Sequence, residues 1–198
     1  ADRSPLHDAA SQGRLLILRR LLAEGYQVNI KTIDQVTPLH EACLSGHVAC
    51  VRALLSAGAN VNAATIDGVT PLYNCCASGS VGCMELLLQN GAHMHTLHTH
   101  FPSSMHEACR RGNSQCVETL LSHGADPDCQ VPHLGSPLYV SCLHRHAACS
   151  KVLLDKASPR SLCQLCRLRI RTVIGRARLK QLPLLPLPSL LTQYLEHT

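Results

Sequence analysis

Large aromatic side chains are almost missing from this chain of 198 residues: there is no Trp, one Phe, and Phe, Trp and Tyr together make up 3%. A conventional core of bulky side chains is thereby disfavoured, and a thin stack of short helices rich in Leu, Ala and Cys suits the composition. Long apolar runs are missing as well. The longest, Leu182 to Leu191, is broken by prolines and is shorter than the roughly 20 residues that a membrane-spanning helix needs. No secretory signal is visible ahead of the polar start Ala1-Asp2-Arg3-Ser4, so the 12 cysteines are expected to be reduced thiols in the cytoplasm. Enzymatic signatures are absent too: the chain has no phosphate loop, no nucleophile elbow and no paired-carboxylate arrangement. Neither a catalytic residue nor a cofactor is expected.

What is present is a period. Ser-Pro-Leu-His at 4–7 recurs 33 residues on as Thr-Pro-Leu-His at 37–40, then as Thr-Pro-Leu-Tyr at 70–73, Ser-Ser-Met-His at 103–106 and Ser-Pro-Leu-Tyr at 136–139. Ser or Thr supplies a helix N-cap and Pro fits the first helical turn. Gly13, Gly46, Gly79 and Gly112 follow a first short helix, and Gly25, Gly58, Gly91 and Gly124 end a second. Leu pairs 21–22, 54–55, 87–88, 120–121 and 153–154 are the expected core of each second helix. The cysteines follow the same phase. Cys43, Cys76, Cys109 and Cys142 share the position of Ala10, and Cys50, Cys83, Cys116 and Cys149 share that of Ile17, so both sets read as small buried side chains. The missing proline at Ser104 suggests a less regular junction there.

This unit resembles the ankyrin repeat in its period and its Thr-Pro-Leu-His signature. The resemblance implies an all-α solenoid of helix pairs with short β-hairpin fingers. Five copies start near residues 4, 37, 70, 103 and 136, the last incomplete, and fill residues 1–157. Residues that project from finger tips or from the concave helix face could read a protein substrate: Lys31, Gln35, His98, Phe101, Arg110, Arg111 and His133. The third connecting finger gathers His93, His95, His98 and His100 near His106. None sits in a tight metal motif, and no metal site is expected.

Residues 158–198 differ in charge, with seven Lys/Arg against one acidic residue, whereas residues 1–157 carry eleven against twelve. Leu162, Cys166, Ile170 and Ile174 recur every fourth residue, with Leu165 and Val173 widening the stripe, which predicts a helix of about four turns. Ser158-Pro159 caps its start and Gly175 its end. Prolines then impose an extended course, and Leu191, Tyr194 and Leu195 predict a short terminal helix. A segment this small cannot bury two apolar faces alone. Cys163-x-x-Cys166 could be half a zinc site or a redox pair, but it lacks a second ligand pair and a βαβ context.

Leu162-x-x-x-Cys166-x-x-x-Ile170, followed by Leu185-Pro186-Leu187-Pro188, resembles the two boxes of a small helical SOCS box at 158–198. After ankyrin repeats, this makes the chain similar to the ankyrin repeat and SOCS box family. The resemblance implies a non-catalytic substrate receptor of a cullin-RING ubiquitin ligase. Elongin C would be contacted by Leu162, Leu165, Cys166, Ile170 and Ile174, with elongin B joining it. Cullin-5 and its RING-box subunit would be selected through Leu185, Pro186, Leu187 and Pro188. Neither nucleic acid nor a membrane span enters that reading. The alternative is an ankyrin scaffold whose basic amphipathic tail binds a membrane surface or another protein.

Overall fold

A computed structural model describes residues 3–94, 101–132 and 134–156. The chain divides into compact units of residues 1–155 and 156–198. The described residues form five helix pairs. The first helix of each pair is α1 Pro5–Ser11, α3 Pro38–Leu44, α5 Pro71–Ser78, α7 Ser104–Arg111 and α9 Pro137–Leu143; the second is α2 Leu15–Ala23, α4 Val48–Ser56, α6 Val81–Gln89, α8 Ser114–Ser122 and α10 Ala147–Leu154. Each pair packs on the next through like helices, α1 on α3 on α5 on α7 on α9 and α2 on α4 on α6 on α8 on α10, so the core is a continuous seam between two rows.

The caps expected from the sequence start the first helices. The hydroxyls of Thr70, Ser103 and Ser136 accept from the backbone N–H of Tyr73, His106 and Tyr139. Ser104 opens α7 as regularly as proline opens its counterparts, and residues 95–100 of the junction expected to be less regular lie outside the described ones. Proline at that position is tolerated rather than required, because the first-turn N–H has no helical partner in any case.

His at the fourth signature position joins neighbouring repeats. In His40, Nδ1 accepts from the Thr37 N–H at 3.2 Å, and Nε2 donates to the Val69 carbonyl at 3.1 Å. His7 reaches the Val36 carbonyl and His106 the Gly135 carbonyl in the same way. The carbonyl acceptor fixes a proton on Nε2, and burial lowers the pKa of His40 and His106.

Leu6, Leu39, Leu72, Met105 and Leu138 fill one row of the core and Leu54, Leu87, Leu120 and Leu153 the other. Only the first Leu of each pair in the second helices is fully buried, and in the first repeat Leu21 is half-buried; successive helical residues point about 100° apart, so the second faces outward. Two expected core positions are open. Ile17 is 45% exposed although its counterparts Cys50, Cys83, Cys116 and Cys149 are buried, and Cys142 is exposed although Cys43, Cys76 and Cys109 are buried. These positions face a neighbouring repeat, and the first and fifth repeats each have a neighbour on one side only among the described residues.

The fingers are tighter than hairpins with strands. Thr32 N–H donates to the Val36 carbonyl at 3.0 Å, and Thr65 N–H donates to the Val69 carbonyl at 2.9 Å. Four or five residues leave room for one such pair. Among the described residues no strand forms, and the finger before α9 holds a single bridge between Val131 and Gly135.

Candidate functional site

Of the residues expected to read a substrate, Lys31, Gln35, Phe101, Arg110 and Arg111 fall among the described ones; His98 and His133 lie outside them. Lys31 and Gln35 are exposed on the first finger. Gln35 turns that finger with φ +60, the place that Gly68 takes in the next finger with φ +83. Between these two fingers and the helices beneath lies a cleft of about 300 Å³, lined by Asp34, Asp67, Glu41, Val36, Val69 and Leu44 among others. Glu41 is partnered there by the Arg3 guanidinium at 3.0 Å.

Phe101, Arg110 and Arg111 come together around two residues that sequence reasoning passed over, Tyr73 and Glu107. Glu107 stands on α7 with its side chain 1% exposed. Its Oε1 accepts from Arg110 Nη2 at 2.6 Å and from Arg111 Nε at 2.9 Å; its Oε2 accepts from Arg110 Nε at 2.7 Å and from the Tyr73 hydroxyl at 2.8 Å. Burial pushes the carboxyl toward its neutral form. The bonds from Arg110, Arg111 and Tyr73 outweigh that and hold its pKa below the ordinary carboxylate value. Burial, then the neighbouring carboxylate, pushes the Tyr73 hydroxyl up to about 12. The Phe101 ring lies on the Tyr73 ring with centroids 5.2 Å apart and a 54° tilt.

The arrangement is confined to one repeat boundary. At the position of Glu107 the other repeats carry Asp8, Glu41, Asn74 and Val140. At the positions of Arg110 and Arg111 they carry Ser11 and Gln12, Leu44 and Ser45, Ala77 and Ser78, and Leu143 and His144. Glu107 itself follows the repeat pattern, which is acidic at Asp8 and Glu41 as well; the departure lies at Arg110 and Arg111, three and four residues further on, and that spacing from a glutamate was the signal that could have found it. Tyr73 could be found only by knowing that residues 34 apart face each other.

A second set missed from sequence ties the repeats together. Asn29 donates to the Gly58 carbonyl and accepts from Asn60 N–H, and Asn62 repeats this one unit on with the Gly91 carbonyl and His93 N–H. Among the described residues no group of three His, Cys, Asp or Glu side chains is placed to hold a metal ion. His95, His98 and His100 lie outside them. So do Leu162, Leu165, Cys166, Ile170 and Ile174, and also Leu185, Pro186, Leu187 and Pro188. No helix among the described residues is long and apolar enough to cross a membrane.

Stacked helix pairs of this geometry define an ankyrin-repeat protein, and comparison with known families agrees. Residues 6–98 match the family of ankyrin repeats in three copies, residues 103–131 match the ankyrin repeat, and residues 158–196 match the SOCS box. The crystal structure of the human ASB11 ankyrin repeat domain superposes with a TM-score of 0.76 at 51% identity, covering 79% of this chain and 70% of that one. Ankyrin repeat and SOCS box protein 5 of Bos taurus is 76% identical over 37 residues, which is 19% of this chain and 11% of the relative. Ankyrin repeat and SOCS box protein 11 of Danio rerio is 66% identical over 35 residues, 18% of this chain and 12% of the relative. The aligned stretches thus span about a tenth of those relatives' length. The chain belongs to the ankyrin repeat and SOCS box protein family.

Proposed function

We propose that this chain is the substrate-recognition adaptor of a cullin-RING ubiquitin ligase and acts in the cytoplasm. Residues 1–157 hold the substrate, and residues 158–198 couple it to elongin C, elongin B, cullin-5 and the RING-box subunit. The observation that carries this reading is the match to a SOCS box at 158–196, directly after the ankyrin repeats. In that segment Leu162, Leu165, Cys166, Ile170 and Ile174 are assigned to elongin C, and Leu185, Pro186, Leu187 and Pro188 to cullin-5. Lys31, Gln35, His98, Phe101, Arg110, Arg111 and His133 are assigned to the substrate face. The mechanism is proximity. A bound substrate shares one assembly with a ubiquitin-loaded conjugating enzyme, which raises the effective concentration of its lysines and promotes ubiquitination and degradation. No chemical step is assigned to this chain.

Coexpression with elongins B and C tests the assignment. The two elongins are expected to copurify with the chain and to raise its solubility by covering the apolar stripe. Leu162→Ala with Cys166→Ala should abolish that capture without changing helicity. Alanine at Leu185 to Pro188 should weaken cullin-5 capture and spare the elongins. A monodisperse chain without measurable elongin affinity would leave the scaffold with a basic tail as the better reading.

A further inference from the structure

Glu107 has an unusual task. A buried carboxylate is tolerated only when its oxygens are fully partnered, and here four donors supply that, three of them from two exposed arginines in the last turn of its own helix. Arg110 and Arg111 are 45% and 51% exposed, so the clamp fixes their inner edges while their outer edges face solvent. Each guanidinium carries five N–H donors. Arg110 commits Nε and Nη2 to Glu107 and Arg111 commits Nε, leaving most of both forks unspent. One buried negative charge against two positive ones leaves the cluster cationic. A free arginine on a surface loses rotamer entropy on binding; these two have already lost it.

A third arginine stands on the neighbouring turn, which is tied to α7 as His47 and Asn113 tie theirs to the repeats before them. His146 Nε2 donates to the Arg110 carbonyl at 3.0 Å, which seats the turn between α9 and α10 against the end of α7. Arg145 in that turn is exposed and has φ +62. The other four repeats place Gly13, Gly46, Gly79 and Gly112 there, the residue that this left-handed backbone favours. An arginine is thus kept in a left-handed conformation next to the residue that ties this turn to the end of α7.

We propose that Arg110 and Arg111, oriented by Glu107 and Tyr73 and extended by Arg145, form the docking point for an acidic segment of the protein substrate. Planar guanidinium forks with free donor edges match carboxylates in pairs. The inference rests on the reading that the repeats hold a substrate, and it adds the chemical class of the segment held. Glu107 is a positioning residue here and touches no substrate atom.

The test uses the full chain, copurified with elongins B and C where these bind, and a short fluorescent Glu-rich peptide as probe, with its Gln-rich counterpart as control. The Glu-rich peptide is expected to bind, and the Gln-rich one not to. Arg110→Gln with Arg111→Gln should weaken binding about tenfold. Arg145→Gly should weaken it about threefold while raising the thermal midpoint, because the charge and the strain leave together. Glu107→Gln is the decisive variant: it makes the site more positive, yet loss of the clamp should lower affinity. Helicity and thermal midpoint, read on each variant, separate this from unfolding, and the lysine pair Arg110→Lys with Arg111→Lys keeps the charge but loses the fork and should not rescue binding. The inference is overturned if affinity rises in Glu107→Gln or is unchanged in the double Gln variant. It is equally overturned if binding disappears instead when Arg167, Arg169 and Arg171 are changed to Gln, or if a Gln-rich peptide with one phosphoserine binds and the Glu-rich peptide does not. Elongin capture is measured on the same preparations. Peptide binding without elongin capture contradicts the adaptor reading alone, and elongin capture without peptide binding contradicts this inference alone.

Discussion

The Tyr73 hydroxyl donates to the Glu107 carboxylate at 2.8 Å across the boundary between the third and fourth repeats. It is one of four donors on a buried anion and the only one that comes from the preceding repeat. Tyr73→Phe keeps the ring that packs on Phe101 and removes the donor. The expected cost is about 2 kcal/mol, typical of a hydrogen bond to a charged group. Denaturant unfolding checks it, and a change below a few tenths of a kcal/mol would show that the bond is replaced by water.

Acid should weaken the same boundary. The Glu107 pKa lies below its unfolded value because the bonds from Arg110, Arg111 and Tyr73 outweigh burial. Its contribution is therefore fully present above an unfolded value of about 4.3 and is lost as pH falls through the lower folded value. Glu107→Gln removes that acid-dependent loss. Unfolding midpoints followed from pH 5 downward should be flatter in the variant than in the parent chain.

A second pH dependence runs at higher pH. Burial holds His40 at about 4, well below 6.5, and burial lowers His106 as well, against the opposing effect of the Gly135 carbonyl. Protonation of His40 at Nδ1 would set that N–H against the Thr37 N–H. Stability is whole above pH 6.5. It falls as pH drops toward 4, because the unfolded chain takes up protons that the folded one refuses, by about 3 kcal/mol for His40. His40→Gln should flatten this slope. A parent chain of constant stability from pH 7 to 5 would contradict the buried neutral imidazole.

Glycine at the turn between paired helices answers two demands at once. Gly79 has φ +75, and a Cβ there would lie 3.0 Å from Asn113 Oδ1, in the side chain that donates to the Cys76 carbonyl at 2.7 Å. Gly79→Ala should cost about 2 kcal/mol, roughly half from the backbone and half from the displaced hydrogen bond. In an Asn113→Ala background the same change should cost about 1 kcal/mol. Gly58 has φ +84 with nothing near an added Cβ, so Gly58→Ala should show the smaller cost without any such background.

Much of this architecture was legible because each repeat states its own helices. Capping hydroxyls, first-turn prolines and turn glycines act within a few residues, so the period of 33 translates directly into helix pairs. What was not legible depends on neighbours. Ile17 occupies a core position by chemistry and is exposed by place, and the cluster at Glu107 needs Tyr73 from the unit before it. Gln35 and Gly68 illustrate the converse, since both take the left-handed turn of a finger and only one is the residue expected there.

Thiol reactivity measures that dependence on neighbours. All ten cysteines among the described residues are free. Cys43, Cys50, Cys75, Cys76, Cys83, Cys109, Cys116 and Cys149 are at most 1% exposed. Burial pushes Cys116 up to about 11 and raises Cys75, Cys76 and Cys109, so the thiolate that reacts is scarce as well as shielded. Cys142 shares the repeat position of Cys109 and is exposed. In native protein at neutral pH, iodoacetamide should modify Cys142 and leave Cys109 intact, and denaturant should make the two react alike. Mass spectrometry of the two cysteine-containing peptides follows both rates in one sample. Equal native rates would mean that the fifth repeat is covered as fully as the fourth, or that the fourth opens as readily as the fifth.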